Sequence, residues 1–386
     1  MKRLAILGST GSIGQSALAV AAAHPDRLQV VALVAGENAS LLADQASQFR
    51  PTVIGMASDA ALADLTSRIG ITSGTMLLPS GPDGLVAAAT HPDVDVVLCA
   101  TSGSAGLEAA LAAIDAGKTL ALANKEVMVM AGELVVERAR RRGVSILPVD
   151  SEHNAIHQCL HGRDRSEVRR MILTASGGPF RRLDRAALKR VTPEDALRHP
   201  TWRMGRKISV DSATLANKAL EVIEAHFLFG LSYDQIEVVV HPQSIVHSFV
   251  EFVDGSVLAQ MGTPSMELPV LYALTHPQRV PDAAMPAFDP VAWAPLTFER
   301  VRADDFPALA LGLAAGRRGG VAPAVFNAAN EQAVSLFLEN RIRFMDVARA
   351  IESALAKCAD GPGDSRDAVL GADMAARRHV LEMFAC

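Results

Sequence analysis

The sequence has few cysteines, and they form no pattern typical of disulfide-rich or zinc-binding proteins. Four occur in 386 residues, at Cys99, Cys159, Cys358 and Cys386, with no Cys-x-x-Cys pair. Disulfide scaffolds and zinc knuckles need a framework of closely spaced cysteines. Both classes are therefore excluded, and scattered cysteines predict a reducing, cytoplasmic location.

Aromatic residues, basic charge and long apolar runs are also scarce. Phe, Trp and Tyr make up 4% of the chain, and the formal net charge is −5. A nucleic-acid-binding surface usually carries a basic excess, so no nucleic-acid partner is predicted. The apolar run that follows Arg3 breaks at Gly8, too early for a signal peptide. No uncharged apolar run is long enough to span a membrane, and no membrane partner is predicted.

Ala, Leu and Val are abundant, and the first third of the chain alternates between strand-like and helix-like segments. With 49% hydrophobic residues and few aromatics, the composition favours helices packed on parallel strands. We therefore predict an α/β fold with a Rossmann-type, doubly wound parallel sheet. The later strands are predicted at Leu28–Ala35, Thr52–Met56, Val94–Ala100 and Thr119–Ala123, and helices at Ala105–Ala116 and Glu126–Arg142.

A glycine-rich turn follows the first predicted strand, Lys2–Leu7. Gly8, Gly11 and Gly14 lie in the turn, and an Ala-rich helix continues to Ala23. Strand, turn and helix in this order form the phosphate-binding turn of dinucleotide sites, because the helix start offers unpaired N–H groups. The Gly-x-x-Gly-x-x-Gly spacing differs from Gly-x-Gly-x-x-Gly, and a purely structural turn is the alternative.

The second predicted strand ends at Gly36, Glu37 and Asn38. An acidic residue at this place usually binds the ribose hydroxyls and disfavours a 2′-phosphate. Glu37 by itself therefore favours NADH over NADPH.

Two carboxylates, Asp150 and Glu152, follow the apolar segment Val144–Val149 with Ser151 between them. In open α/β sheets ligands bind at the carboxyl ends of strands, and carboxylates so close together can share Mg²⁺ or Mn²⁺. The alternative is a helix start capped by a serine. Lys125, which follows another strand, is a candidate for contacting substrate or cofactor, or else a surface lysine.

The middle of the chain has features of a substrate site. A Pro-containing segment from about 176 to 206 has the length of a lid, with Trp202 near its end; Trp202 as a core residue is the alternative. A helix is predicted from about Ala213, with Ser212 at its amino end and Lys218 in its second turn. Hydroxyl and ammonium groups near a helix start suit a phosphate, and Glu221, farther along, offers a third carboxylate for a metal.

Six motifs together resemble those of the 1-deoxy-D-xylulose 5-phosphate reductoisomerase family. They are Gly-Ser-Thr-Gly-Ser-Ile-Gly (8–14), Ala-Asn-Lys-Glu (123–126), Pro-Val-Asp-Ser-Glu-His-Asn-Ala-Ile (148–156), Ser-Gly-Gly-Pro-Phe (176–180), Gly-Arg-Lys-Ile-Ser-Val-Asp-Ser-Ala-Thr (205–214) and His-Pro-Gln-Ser (241–244). The resemblance implies the conversion of 1-deoxy-D-xylulose 5-phosphate to 2-C-methyl-D-erythritol 4-phosphate for isoprenoid synthesis. It also implies NADPH, a divalent metal (Mg²⁺, Mn²⁺ or Co²⁺) and a homodimer.

The resemblance implies residue roles as well. The metal ligands would be Asp150, Glu152 and Glu221, which with Lys125 and His199 form the catalytic set. Substrate contacts would come from Lys125, Ser151, Glu152, Ser176, His199, Trp202, Ser212, Asn217, Lys218 and Glu221. NADPH contacts would come from Thr10, Gly11, Ser12, Ile13, Gly36, Asn38, Asn124, Glu126 and Gly205. The family commonly has a basic or small residue where this chain has Glu37; we still expect NADPH, with Thr10, Ser12 and Asn38 as neutral partners.

We predict three domains in the chain. They are a dinucleotide-binding domain (1–149), an α+β catalytic and dimerisation domain (150–279) and, after a linker (280–299), a helical bundle (300–386). The β layer of the second domain is predicted at Ile236–Val240, Ser244–Val253 and Ser256–Met261. In the helical bundle, Asn327, Asn330 and Glu331 are expected to be helix-surface or packing residues.

Two other functions remain open. A metal-independent NAD(P)-linked dehydrogenase would stay active in EDTA. A nucleotide sensor without turnover would have no use for a metal beside a phosphate site.

Overall fold

The computed structural model describes residues 1–69, 74–202 and 204–385. Its first part alternates between strands and helices: β1 (Lys2–Leu7), α1 (Ser12–Ala23), β2 (Leu28–Ala35), α2 (Ala39–Phe49), β3 (Val53–Met56), α3 (Asp59–Arg68), β4 (Met76–Leu77), α4 (Pro82–Ala89), β5 (Val96–Cys99), α5 (Leu107–Asp115), β6 (Thr119–Leu122), α6 (Lys125–Arg142), β7 (Ile146–Pro148) and α7 (Ser151–Cys159).

The second part adds a smaller sheet and most of the longer helices: β8 (Val168–Ala175), α8 (Arg185–Leu188), α9 (Pro193–Leu197), α10 (Arg206–Thr214), α11 (Ala216–Phe229), β9 (Ile236–Val240), β10 (Val246–Phe252), β11 (Val257–Met261), α12 (Glu267–Thr275), α13 (Pro307–Arg318), α14 (Ala322–Leu338), α15 (Phe344–Cys358) and α16 (Arg366–Met383). Helix α12 was not predicted. Among the described residues, no helix is long and apolar enough to cross a bilayer.

The first sheet has seven parallel strands in the order β4-β3-β2-β1-β5-β6-β7. Its central strands are apolar on both faces; Leu4, Ile6 and Leu98, for example, are fully buried, as expected for strands covered by helices on both sides. The chain builds outward from β1 to β4 and then restarts at β5 on the other side of β1. The predicted doubly wound sheet is confirmed, and β1 and β5 flank the switch point where ligands bind in such folds.

The second sheet has four strands in the order β11-β10-β8-β9. Strand β10 is antiparallel to β8 and β11, whereas β9 is parallel to β8. Strand β10 begins two residues later than predicted, because Ser244 has a left-handed backbone conformation (φ 53°) that cannot continue a strand.

The helix predicted from about Ala213 is in fact two helices. Helix α10 already begins at Arg206, after Gly205, and ends at Thr214. Leu215 adopts a left-handed conformation (φ 62°) and separates α10 from α11. Ser212 therefore lies in the last turn of α10, and its predicted place at a helix start is wrong.

The four helices α13 to α16 share an apolar core, as predicted for the helical bundle. Phe326 and Phe337 of α14 are among the largest fully buried side chains of the protein. Asn327 and Asn330 are also fully buried, so their interpretation as helix-surface residues is wrong and they occupy packing positions.

The chain folds into two compact units. One unit consists of 1–127, 135–154 and 265–286, and the other holds the remaining described residues. The predicted boundaries after 149, 279 and 299 stay a prediction.

We predict that Gly8→Ala destabilises the protein by about 2 kcal/mol or more, since strain of this kind typically costs about 1–3 kcal/mol. Gly8 has φ +91°, and a Cβ there would lie 2.4 Å from the carbonyl oxygen of Ala100. The free energy of unfolding is measured by urea titration. Gly36→Ala is the control, because a Cβ at Gly36 would have no neighbour within 4 Å; equal losses in both variants would contradict the prediction.

Candidate functional site

The turn between β1 and α1 is held against β2. The backbone N–H groups of Gly8 and Ser9 donate to the carbonyl of Val34, at 2.8 and 3.0 Å. A Cβ on Gly14 would lie 2.3 Å from the carbonyl oxygen of Gly8, so α1 begins as close to the turn as backbone allows. Gly11 and Ser12 remain exposed at the start of α1. The first N–H groups of the helix thus form a candidate phosphate cradle.

The carboxyl end of β2 carries an exposed acidic side chain. Glu37 Oε2 accepts a hydrogen bond from Ser58 Oγ at 2.8 Å, and Ser58 also caps α3. Asn38 caps α2, because its side chain accepts from the backbone N–H of Leu41. Sequence reasoning found Glu37 but missed Ser58, which precedes a helix and carries no distinguishing signal.

Asn124 fixes the start of α6. Its side-chain oxygen accepts from the N–H of Val127 at 3.1 Å, and its amide donates to the carbonyl of Gly103 at 2.9 Å. Asn124 and Glu126 are 2% and 8% exposed. The Asn124 side chain therefore shapes the turn beside the predicted cofactor contacts.

A buried ion pair joins the ends of β6 and β7. Lys125 Nζ lies 2.6 Å from Asp150 Oδ2, and Lys125 is only 6% exposed, so the alternative of a surface lysine is wrong. Burial alone would raise the pKa of Asp150, but the Lys125 ammonium and His153, whose Nδ1 lies 3.3 Å from Asp150 Oδ1, hold it well below its usual range. Asp150 is therefore ionised at neutral pH.

The segment Asp150–Glu152 lies at the start of a helix. The two interpretations of this segment, a pair of carboxylates and a helix start, therefore apply to the same residues. The N–H of Glu152 donates to Asp150 Oδ1 at 3.3 Å, and α7 begins at Ser151. Ser151 Oγ donates to Glu152 Oε2 at 2.6 Å. Asp150, rather than the serine, supplies the capping oxygen.

In the other unit, the loop after β8 lies on the end of α10. Gly177 and Gly178 both have positive φ, and a Cβ on Gly178 would lie 2.6 Å from the carbonyl oxygen of Ser212. Only glycine allows this approach. The fold thereby brings the segments of Ser176 and Ser212, two predicted phosphate ligands, together.

His199 connects Ser176 to the lid segment. Its Nδ1 accepts from the backbone N–H groups of Thr201 and Trp202, at 3.2 and 2.9 Å. Its Nε2 lies 2.9 Å from Ser176 Oγ. Burial lowers the pKa of His199 to about 4. The ring is thus neutral at pH 7 and, because Nδ1 accepts, the proton is on Nε2 and is donated to Ser176.

Trp202 is half-buried, with its ring centroid 6.4 Å from that of His247. Gly205 caps α10.

On α11, the side chains of Asn217 and Lys218 both donate to Glu221, which is 1% exposed. These two donors hold the Glu221 carboxylate in a fixed position on α11.

The predicted site residues thus fall into two groups. The first unit carries Thr10, Gly11, Ser12, Ile13, Gly36, Asn38, Asn124, Lys125, Glu126, Asp150, Ser151 and Glu152, and the second carries Ser176, His199, Trp202, Gly205, Ser212, Asn217, Lys218 and Glu221.

Family profiles match three segments of the chain. The profile described as "1-deoxy-D-xylulose 5-phosphate reductoisomerase" matches residues 4–132, and two profiles for C-terminal domains of the same enzyme match 146–229 and 261–379. A reductoisomerase of Heliobacterium modesticaldum is 52% identical over 99% of this chain and 97% of its own length. The chain belongs to the 1-deoxy-D-xylulose 5-phosphate reductoisomerase family.

Other members of the 1-deoxy-D-xylulose 5-phosphate reductoisomerase family agree in sequence and structure. The enzyme of Anaeromyxobacter dehalogenans is 51% identical over 98% of this chain and 96% of its own. A crystal structure of a reductoisomerase with NADPH, fosmidomycin and magnesium superposes with a TM-score of 0.95, at 40% identity, covering 100% of this chain and 98% of that one. The Zymomonas mobilis enzyme with NADPH gives 0.92 at 42% identity, covering 99% of both chains.

We predict that the neutral His199 ring makes the protein less stable as the pH falls from about 6.5 to about 4. The unfolded chain binds a proton near pH 6.5, whereas the folded ring resists it down to about pH 4. Over this window the free energy of unfolding should fall less steeply with pH in His199→Gln than in the unchanged protein. The two slopes should differ by under about 1 kcal/mol per pH unit, because the ring is partly exposed. Urea titrations across this window measure both slopes.

The matched control is His161→Gln, the same substitution at an exposed position just after α7. Equal slopes in the His199 and His161 variants would show that ring burial has no such effect.

Proposed function

We propose that this chain converts 1-deoxy-D-xylulose 5-phosphate to 2-C-methyl-D-erythritol 4-phosphate, with NADPH as hydride donor and Mg²⁺, Mn²⁺ or Co²⁺ as the metal. The observation that carries the proposal is the buried Lys125–Asp150 pair beside Glu152, at the carboxyl edge of a dinucleotide-type sheet. Dehydrogenase chemistry alone gives no reason for a second carboxylate beside a buried ion pair. The relatives solved with NADPH and magnesium support both cofactors.

Asp150, Glu152 and Glu221 are the proposed metal ligands. Their donor atoms are carboxylate oxygens, the type that Mg²⁺ and Mn²⁺ prefer. Asp150 is kept ionised by Lys125, and Glu221 accepts one hydrogen bond from Lys218 and one from Asn217. The donor set therefore fits a hard divalent cation. When bound, such a cation polarises the substrate ketone and its neighbouring hydroxyl.

Lys125 and Ser151 are proposed to line the reacting end of the substrate. The Lys125 ammonium keeps a positive charge beside Asp150, where negative charge develops on substrate oxygens during rearrangement. The Ser151 hydroxyl, now donating to Glu152, is placed to donate to a substrate oxygen instead.

The substrate phosphate is proposed to bind Ser176, Ser212, Asn217 and Lys218. Because His199 donates its Nε2 proton to Ser176 Oγ, the serine's own proton is directed to another acceptor, and a phosphate oxygen suits it. The backbone N–H of Trp202 donates a hydrogen bond to the His199 ring. We propose that Trp202 covers the substrate and excludes water.

NADPH is proposed to bind at the β1–α1 turn, where Thr10, Gly11, Ser12 and Ile13 surround the phosphate cradle. The other proposed contacts are Gly36, Asn38, Asn124, Glu126 and Gly205.

We also propose a cytoplasmic homodimer. Strand β11 is the edge of the second sheet, and Val253, Val257 and Leu258 are 65%, 50% and 36% exposed on its hairpin. The unpaired backbone groups and apolar side chains of such an edge can pair with the same edge of a second chain.

The function is tested by following NADPH oxidation at about 340 nm with 1-deoxy-D-xylulose 5-phosphate and Mn²⁺. EDTA should abolish turnover, and Mn²⁺ should restore it. Glu221→Gln should lower kcat at saturating Mn²⁺ by about a hundredfold or more, because changing even the residues that support metal ligands costs about 10–100-fold, while leaving the Kd of NADPH unchanged.

Glu251→Gln is the matched control, because Glu251 is another buried glutamate of the same unit, paired instead with Arg170 on the second sheet. Activity that persists in EDTA would favour a metal-independent dehydrogenase. Tight NADPH binding without turnover of the substrate would favour a sensor.

We predict that Glu37→Lys strengthens the preference for NADPH over NADH. The exposed carboxylate at the end of β2 repels a 2′-phosphate, and an ammonium attracts it. The ratio of Kd values for NADH and NADPH, measured by fluorescence titration, should rise about tenfold, as for a change of about 1.4 kcal/mol in one interaction.

Glu352→Lys provides the same charge change on the exposed face of α15. An equal rise in this variant would trace the effect to overall charge, and an unchanged ratio in Glu37→Lys would place Glu37 away from the ribose.

A further inference from the structure

We infer that α14, in the helical bundle, positions the phosphate site through a hydrogen bond between Asn330 and Asp211. The inference rests on the proposed binding of the substrate phosphate by Ser212 and its neighbours. Asn330 and Asp211 are therefore positioning residues, which act on the substrate through Ser212.

The bond joins two buried polar side chains from distant parts of the sequence. Asn330 Nδ2 donates to Asp211 Oδ1 at 2.8 Å across 119 residues. Asn330 is 0% exposed and Asp211 is 1% exposed. The other oxygen of Asp211 lies 2.9 Å from Lys207 Nζ, one turn earlier on α10. A buried carboxylate is costly unless such partners are present.

Charged groups extend the connection through the bundle. Lys207 Nζ lies 4.0 Å from Glu331, the residue after Asn330. Glu331 is paired with Arg377 of α16, which also pairs with Asp373 at 2.7 Å. Helices α10, α14 and α16 are thus linked by one polar network that faces Asp211.

Asp211 lies where a small shift of α10 reaches the phosphate ligands. Ser212 is the next residue, and its carbonyl contacts the loop of Ser176 at Gly178. Leu215 then turns the chain into α11, which begins just before Asn217 and Lys218. All four proposed phosphate ligands therefore depend on the last turn of α10.

A hydrogen bond fixes the position of the last turn of α10 better than apolar packing does. Apolar packing has no preferred direction, whereas a buried hydrogen bond needs a set distance and angle and is lost when its partners move by about 1 Å. Misplacement by about 1 Å can cost a hundredfold in rate when it affects groups that hold a substrate.

The experiment measures steady-state kinetics with Mn²⁺ and NADPH for Asn330→Ala, Asn330→Asp, Asp211→Asn and the swap of Asp211→Asn with Asn330→Asp. Asn330→Ala and Asn330→Asp should each raise the KM for 1-deoxy-D-xylulose 5-phosphate about tenfold, as expected when a buried hydrogen-bond donor is lost. Asp211→Asn should raise it less, because its amide oxygen can still accept from Asn330 and only the charge that faces Lys207 is removed. The inhibition constant of inorganic phosphate should rise equally, while kcat changes less than KM and the Kd of NADPH stays constant. The swap restores one carboxylate and one amide and should recover most of the KM.

Asn327→Ala is the matched control. Asn327 is equally buried on α14, and its amide donates to Glu331, 3.4 Å away on the same helix. A purely structural role of the Asn330–Asp211 bond would lower thermal stability in all variants without changing KM relative to kcat, and this result would overturn the inference. An unchanged KM in the single variants, or a rise in Asn327→Ala as large as in Asn330→Ala, would do the same.

Ser212→Ala separates the inference from the proposed function. A higher KM in Ser212→Ala with a normal KM in the Asn330 variants refutes only the positioning role. A normal KM in Ser212→Ala refutes the phosphate site, and with it the inference.

Discussion

The buried pair of Lys125 and Asp150 is the interaction on which the first unit's part of the site depends. The two residues follow adjacent strands, β6 and β7, and each lies at the start of a helix. Their 2.6 Å contact therefore sets both helix starts relative to the edge of the sheet. Removing either partner would leave a buried charge, at a cost of about 3–5 kcal/mol. Asn124, which caps α6, and His153, which faces Asp150, hold the pair in place.

Sequence reasoning succeeded where the signal is local. The β1–α1 turn follows from the glycine spacing, because Gly8 and Gly14 must let the backbone approach itself within a few residues. The doubly wound sheet follows from the alternation of apolar segments with helices. The position of Asp150 and Glu152 just after a strand and at the start of a helix also follows from the neighbouring sequence.

It failed where distant residues decide the structure. The residues around Leu215 do not predict its left-handed conformation. The structure therefore has two helices where one was predicted, and Ser212 lies at the end of a helix instead of at its start. The proton position on His199 depends on Ser176 and on two backbone N–H groups. Asn330 and Asp211 meet across 119 residues, and a buried asparagine in a helix has no local pattern that separates it from a solvated one.

The bond between His199 and the backbone of Trp202 has a practical consequence. Through His199, the Trp202 residue is connected to Ser176, the serine proposed to bind the phosphate, and the indole ring lies near the ring of His247. We therefore expect a ligand bound at that serine to change the emission of Trp202. With Trp293 replaced by Phe, Trp202 would be the one tryptophan left in the sequence, and ligand binding could be followed by stopped-flow fluorescence without labels or coupled reactions.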